Sequence, residues 1–164
     1  MSDWNLPRVP FVTVGTVGEP GQRVFYLQVD ADGRPVAFKL EKAQVRALAG
    51  ALAEVLTDLP APDGVPTDLE LREPVDPDFV VGSIAISPWD AEENRLFVVL
   101  EELVAEDAPE GSTARIGLAL DQVAALAIRG VQLVEAGRPP CPLCGGPMDP
   151  SGHVCPKSNG HLKH

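Results

Sequence analysis

Apolar residues along this chain follow first one period and then another, and the order of the switches predicts its elements. Residues 11–17, FVTVGTV, are rich in β-branched side chains and predict a strand closed by the turn chemistry of Gly18, Glu19, Pro20 and Gly21. Residues 23–30 alternate Val24, Tyr26 and Gln28 with Phe25, Leu27 and Val29, so one face is apolar and the other mixed. Asp30 to Pro35 read as a hairpin turn with Gly33 free to take positive φ, and Val36, Phe38 and Leu40 make a third strand. From Lys42 onward the step becomes three and four. Val45, Leu48, Leu52, Val55 and Leu59 form one stripe of a helix that Pro60 and Pro62 end. Residues 59–78 hold five prolines and predict a linker or an extended edge, and residues 1–10 a loose arm.

The same order then returns. Strands are expected at 79–86, 95–104 and 113–120, followed by a helix capped by Asp121, striped with Val123, Leu126, Ala127, Leu133 and Val134, and ended by Gly137. Gln44-Val45-Arg46-Ala47-Leu48-Ala49 recurs as Gln122-Val123-Ala124-Ala125-Leu126-Ala127. Upstream, Arg23-Val24-Phe25 matches Arg95-Leu96-Phe97, and Phe11-Val12 matches Phe79-Val80. The expected fold is therefore α+β, with residues 1–138 as one domain. Two βββα halves, repeats 8–59 and 76–137, would be related by a pseudo-twofold and would build a mainly antiparallel six-stranded sheet carrying two helices.

Residues 139–164 have another character. All three cysteines and all three histidines lie there, in a segment with almost no apolar residues to bury. Cys141 and Cys144 have the C-x-x-C spacing of a zinc knuckle, with Pro142 fixing φ and Gly145 allowing the turn. Cys155 supplies a third thiolate. His161, after the turn pair Asn159-Gly160, is the expected fourth ligand, and His153, two residues before Cys155, is the alternative. Three thiolates and one imidazole complete a tetrahedron, which predicts a structural Zn²⁺ that clamps the tail. Two histidines with only two thiolates and a water would instead make an open Lewis-acid site. A CPxC redox pair normally opens a helix after a strand, whereas this one follows Pro139-Pro140.

Composition narrows the function. At 164 residues and 45% hydrophobic content, the chain is long enough for one core and a small appendage. It has no apolar leader and no run of eighteen apolar residues, so a cytoplasmic protein that neither crosses nor enters a membrane is expected. The net charge is −11, and Arg138, Lys157 and Lys163 stand against Asp149 alone in the tail. The body therefore carries −13, the wrong sign for a nucleic-acid face. No glycine-rich phosphate loop is present, and every histidine sits in the tail, so no catalytic residues are assigned and a non-enzymatic role is expected. Glu92-Glu93 and Glu101-Glu102 are expected to be solvated, and Trp4 and Trp89 to cover core edges or to mark an interface.

The ending C-P-x-C-G-x-P-x-D-P-x-G-H-x-C-P-x-x-N-G-H, together with RVFYLQV and KLEKxQVxAL upstream, resembles an uncharacterised actinobacterial protein family that includes ParJ. The Ala, Val, Pro and Gly bias fits such a source. The resemblance implies a small cytoplasmic protein that binds a ParA-type ATPase and limits its assembly in chromosome segregation. The competing expectation is a zinc metalloenzyme built on an open site in the tail.

Overall fold

The computed structural model describes residues 3–19 and 21–136. Its elements in chain order are β1 (Asp3–Leu6), β2 (Val12–Val17), β3 (Val24–Ala31), β4 (Arg34–Leu40), α1 (Lys42–Leu56), β5 (Pro77–Ile86), β6 (Leu96–Glu102), β7 (Thr113–Leu118) and α2 (Leu120–Ala136). The seven strands form one sheet in the order β1-β7-β6-β5-β4-β3-β2. The architecture is α+β and the sheet is mixed: β4 with β5 and β1 with β7 are parallel, and the other neighbours are antiparallel.

Consecutive strands β1 and β2 lie at opposite edges of this sheet, which forces it to curl. A flat sheet would hold its outer strands about 29 Å apart across six gaps. The six steps from Leu6 to Val12 reach at most about 21 Å. Curling also explains how Trp4 on β1 touches strands three and four places away: its Nε1 donates to Asp78 Oδ2 at 2.8 Å, and the Arg34 guanidinium lies 5.4 Å from its ring.

The inner face of the curl carries the core. Cross-strand pairs Val29 and Val36, Leu27 and Phe38, Phe25 and Leu40, then Leu96 and Leu118, Val98 and Ile116, Leu100 and Ala114, all point that way and are buried. Both helices pack onto them, α1 through Val45, Leu48, Ala49 and Leu52, α2 through Val123, Leu126, Ala127 and Val134.

The arm expected at residues 1–10 is thus a strand in part. Asp3 Oδ1 accepts from the Thr113 N–H, and Asn5 pairs in register with Arg115. The proline-rich segment is no strand up to Pro77, yet it does not hang loose. Leu69 O accepts from Thr13 Oγ1, while Gln28 Oε1 accepts from the Arg72 N–H at 2.7 Å and Gln28 Nε2 donates to Arg72 O at 2.9 Å. Leu71 lies over Gly15, where an added Cβ would come within 2.5 Å of Leu71 Cγ. Residues 69–72 therefore strap the outer face of β2 and β3 and bury Thr13 and Gln28 there.

The two meanders run head to tail, β2-β3-β4 followed by β5-β6-β7, joined through the parallel pair β4 and β5. The matched segments do not correspond face for face. Phe25 looks inward with Leu27 and Val29, whereas Phe97 looks outward while Leu96, Val98 and Leu100 look inward. A slip of one residue on a strand exchanges its faces.

The matched glutamines do behave alike. Gln44 Oε1 accepts from the Glu41 N–H at 2.8 Å and its Nε2 donates to Val81 O at 3.1 Å. Gln122 Oε1 accepts from the Ala119 N–H at 2.9 Å and its Nε2 donates to Val9 O at 2.7 Å. Each glutamine closes the first turn of its helix and grips the chain lying next along the sheet. Residues 3–9 stand to β7 as β5 stands to β4. The expected cap, Asp121, sits inside the first turn, because the helix begins one residue earlier and the glutamine takes the capping role. Gln122→Ala strands the N–H of Ala119, just before α2, and the Val9 carbonyl between β1 and β2, and is expected to cost about 2 kcal/mol, read as a lowered urea midpoint with unchanged slope.

Candidate functional site

The expected metal ligands, Cys141, Cys144, Cys155 and His161 with His153 as alternative, lie outside the described residues, as do Gly137 and the Pro139-Pro140 spacer. Among the described residues no group of three or more His, Cys, Asp or Glu is arranged to hold a metal ion. The adjacent acids behave as solvated or structural groups. Glu92 and Glu93 offer their N–H groups to Asp90 Oδ1, and Glu102 Oε1 accepts from the Ser112 N–H at 2.9 Å. Both tryptophans are partly buried and pack against the core, Trp4 at the end of the curl and Trp89 after β5.

Buried polar groups are internally satisfied. Arg95, 7% exposed, donates from Nη1 to Pro7 O and from Nε to Glu93 O, tying the start of β6 to the chain leaving β1. Arg129 Nε donates to Val14 O at 2.8 Å, so α2 covers a carbonyl on the outer edge of β2. Arg23 Nη2 donates to Leu133 O at 3.0 Å, and its guanidinium lies 5.0 Å from the Phe25 ring. These cations fasten elements together, each through a backbone acceptor.

What the body offers to other molecules is surface. A depression of about 410 Å³ between α1 and β5 is lined by Ala47, Ala51, Ile84 and Ile86 with Gln44 at its lip. A second, of about 440 Å³, lies between Trp89, Asn94, residues 62–64 and the start of α2. A third, of about 340 Å³, is bounded by Glu101, Glu102, Glu110 and Val104. At the same end of the sheet stand exposed aliphatic side chains, Val80 within β5 and Leu103 and Val104 just past the end of β6. Their signal in the sequence was two apolar residues, Leu103-Val104, continuing past Glu101-Glu102 into an acidic loop.

Fold and surface together define a curled α+β scaffold whose described residues are organised for packing. The chain belongs to a family of proteins of unknown function, DUF3090, whose model matches residues 4–155. That match spans β1 through α2 and, in the tail, Cys141, Cys144, His153 and Cys155. No curated protein and no solved structure matches the chain. Among the described residues no helix is long and apolar enough to cross a membrane.

Proposed function

We propose that this chain is a non-enzymatic, zinc-stabilised interaction protein of the cytoplasm, and that its partner is a protein whose assembly it modulates. The observation that carries the reading is the donor set of the tail: three thiols and an imidazole within residues 141–161, a combination that fits Zn²⁺ and leaves no position for water. The charge of the body, −13, argues against nucleic acid and for a partner protein. By resemblance to the family that includes ParJ, the partner would be a ParA-type ATPase and the outcome a limit on its polymerisation.

Metal content with X-ray absorption on gently purified protein tests the site, and three sulfurs with one nitrogen is the expected shell. Four ligands including water would favour the open-site enzyme instead. The family match reaches Cys155 and ends before His161, which places His153 inside it. Paired variants decide between the rings: His161→Ala is expected to weaken zinc retention against a chelator by about tenfold or more, and His153→Ala to leave it unchanged. Cys141→Ser is expected to release the zinc while the body keeps its cooperative thermal transition, since residues 9–134 supply a buried apolar cluster of their own. Loss of that transition on metal removal would show that the two parts fold as one. For the partner, the purified chain is expected to slow nucleotide-dependent ParA assembly in a light-scattering assay; an unchanged assembly rate would remove that assignment.

A further inference from the structure

One end of the second meander combines two properties that a solitary soluble surface seldom holds together. Leu103, just past β6, is 63% exposed, although its N–H is fixed by a 2.7 Å bond to Val80 O. Val104 is 42% exposed and Val80 36%. Gly111 returns against Val104 and Glu102 so closely that an added Cβ would meet Val104 Cγ1 at 2.7 Å and Glu102 Cβ at 2.9 Å. These aliphatic side chains, gathered at one end of the sheet, are therefore presented on backbone held by bonds and close packing, and large exposed apolar groups at such a place are candidates for binding surfaces.

The field around them is mainly acidic, with Lys39 in register with Val80 and Arg115 in register with Val99 as cations of the same sheet. Residues 73–114 carry eleven acidic side chains and a single basic one, Arg95, which is buried and committed to two carbonyls. Glu101, Glu102 and Glu110 border the depression that Val104 and Gly111 line. Lys39, the register neighbour of Val80 on β4, bounds the acidic area on the far side. A polyanion or an anionic lipid surface would be repelled here, and so would a second copy of a chain with net charge −11. A purely apolar partner would desolvate the carboxylates without compensation. Aliphatic side chains flanked by cations satisfy both features at once.

We propose that the end of the sheet carrying Val80, Leu103 and Val104 is a docking surface for a protein segment that presents aliphatic side chains between lysines or arginines. This deepens the interaction reading above, on which it rests, by giving the partner's chemistry and the place it binds. The test uses the full-length, zinc-loaded protein labelled with ¹⁵N and two synthetic amphipathic helices, one of leucine and lysine, the other of leucine and glutamate. The leucine-lysine peptide is expected to move the amide signals of Val80, Leu103, Val104 and Gly111, with affinity falling as salt is raised. Leu103→Asp and, separately, Glu110→Lys are expected to weaken it by about tenfold each, as loss of a contact at a desolvated centre and of a rim charge would. The exposed positions of both residues keep the fold intact, which an unchanged melting temperature verifies. Shifts centred on the α1 and β5 groove, equal binding of the leucine-glutamate peptide, or parental affinity in both variants would overturn the proposal. So would a physiological partner that the Leu103→Asp and Glu110→Lys chains retain as well as the parent does; in that case the interaction reading stands and only this surface is lost.

Discussion

Truncating Phe38 to alanine is expected to destabilise the folded chain by about 4 kcal/mol, the range found for large aromatic deletions in closed cores. Phe38 is fully buried at the middle of β4, paired across β3 with Leu27 and in parallel register with Phe79 on β5. The two rings sit 4.9 Å apart and tilted by 52°, an arrangement in which one ring's edge meets the other's face. β4 and β5 are also where the two meanders join, so the ring belongs to both halves at once. A domain of this size has only about 5–15 kcal/mol of stability, so the loss takes a large share of it. Phe38→Leu, which keeps most of the volume, is expected to cost about 1 to 2 kcal/mol. Urea titration followed by tryptophan fluorescence and by far-ultraviolet circular dichroism checks both values. A single coincident transition, shifted to lower urea, is expected; two separated transitions in the alanine variant would mean that the meanders fold independently of their shared seam.

The parts of this architecture that were legible in the sequence are those whose stabilisation is local or periodic. Alternation in residues 23–30 and the three-and-four step from Val45 to Leu52 placed β3 and α1, because a half-buried strand and a one-sided helix must show those periods. β1 could not be read that way. Asp3–Leu6 has two apolar residues in four and owes its strand conformation to a parallel partner some 110 residues along the chain. The strap at residues 69–72 was hidden for a related reason: its bonds are to two polar residues, Thr13 in a β-branched run and Gln28 on a mixed face, and its space is the missing side chain of Gly15. The sheet order was likewise beyond reach of a pattern, since periodicity fixes faces and says nothing of neighbours. The recurring Gln-Val segment was legible as a similarity of letters, and the structure gives it a mechanical meaning in the paired clamps of Gln44 and Gln122. The expected zinc ligands remain a reading of spacing and donor chemistry, and their test is the metal assay rather than the fold.

Gly130→Val is expected to lower stability by about 3 kcal/mol, through overpacking where the two helices approach closely. Gly130 lies on the buried side of α2, and a Cβ built there would stand 2.8 Å from the Cβ of Ala49 on α1, with Val45 Cγ1 at 3.7 Å. Ala49 cannot rotate its methyl group away, so relief must come from sliding α1 and α2 apart. Each helix is pinned at its first turn, by Gln44 to Val81 on β5 and by Gln122 to Val9 between β1 and β2, so sliding loads those bonds as well. Gly130→Ala isolates the two opposing effects. Mid-helix alanine is favoured over glycine by about 1 kcal/mol, so a gain of that size would show that the crossing can relax. The 2.8 Å approach predicts instead a net loss, smaller than that of valine. Pairing Gly130→Ala with Ala49→Gly removes the opposing methyl group and is expected to restore most of the lost melting temperature. A double-mutant cycle with no coupling between the two positions would show that the crossing is not where these helices are held together.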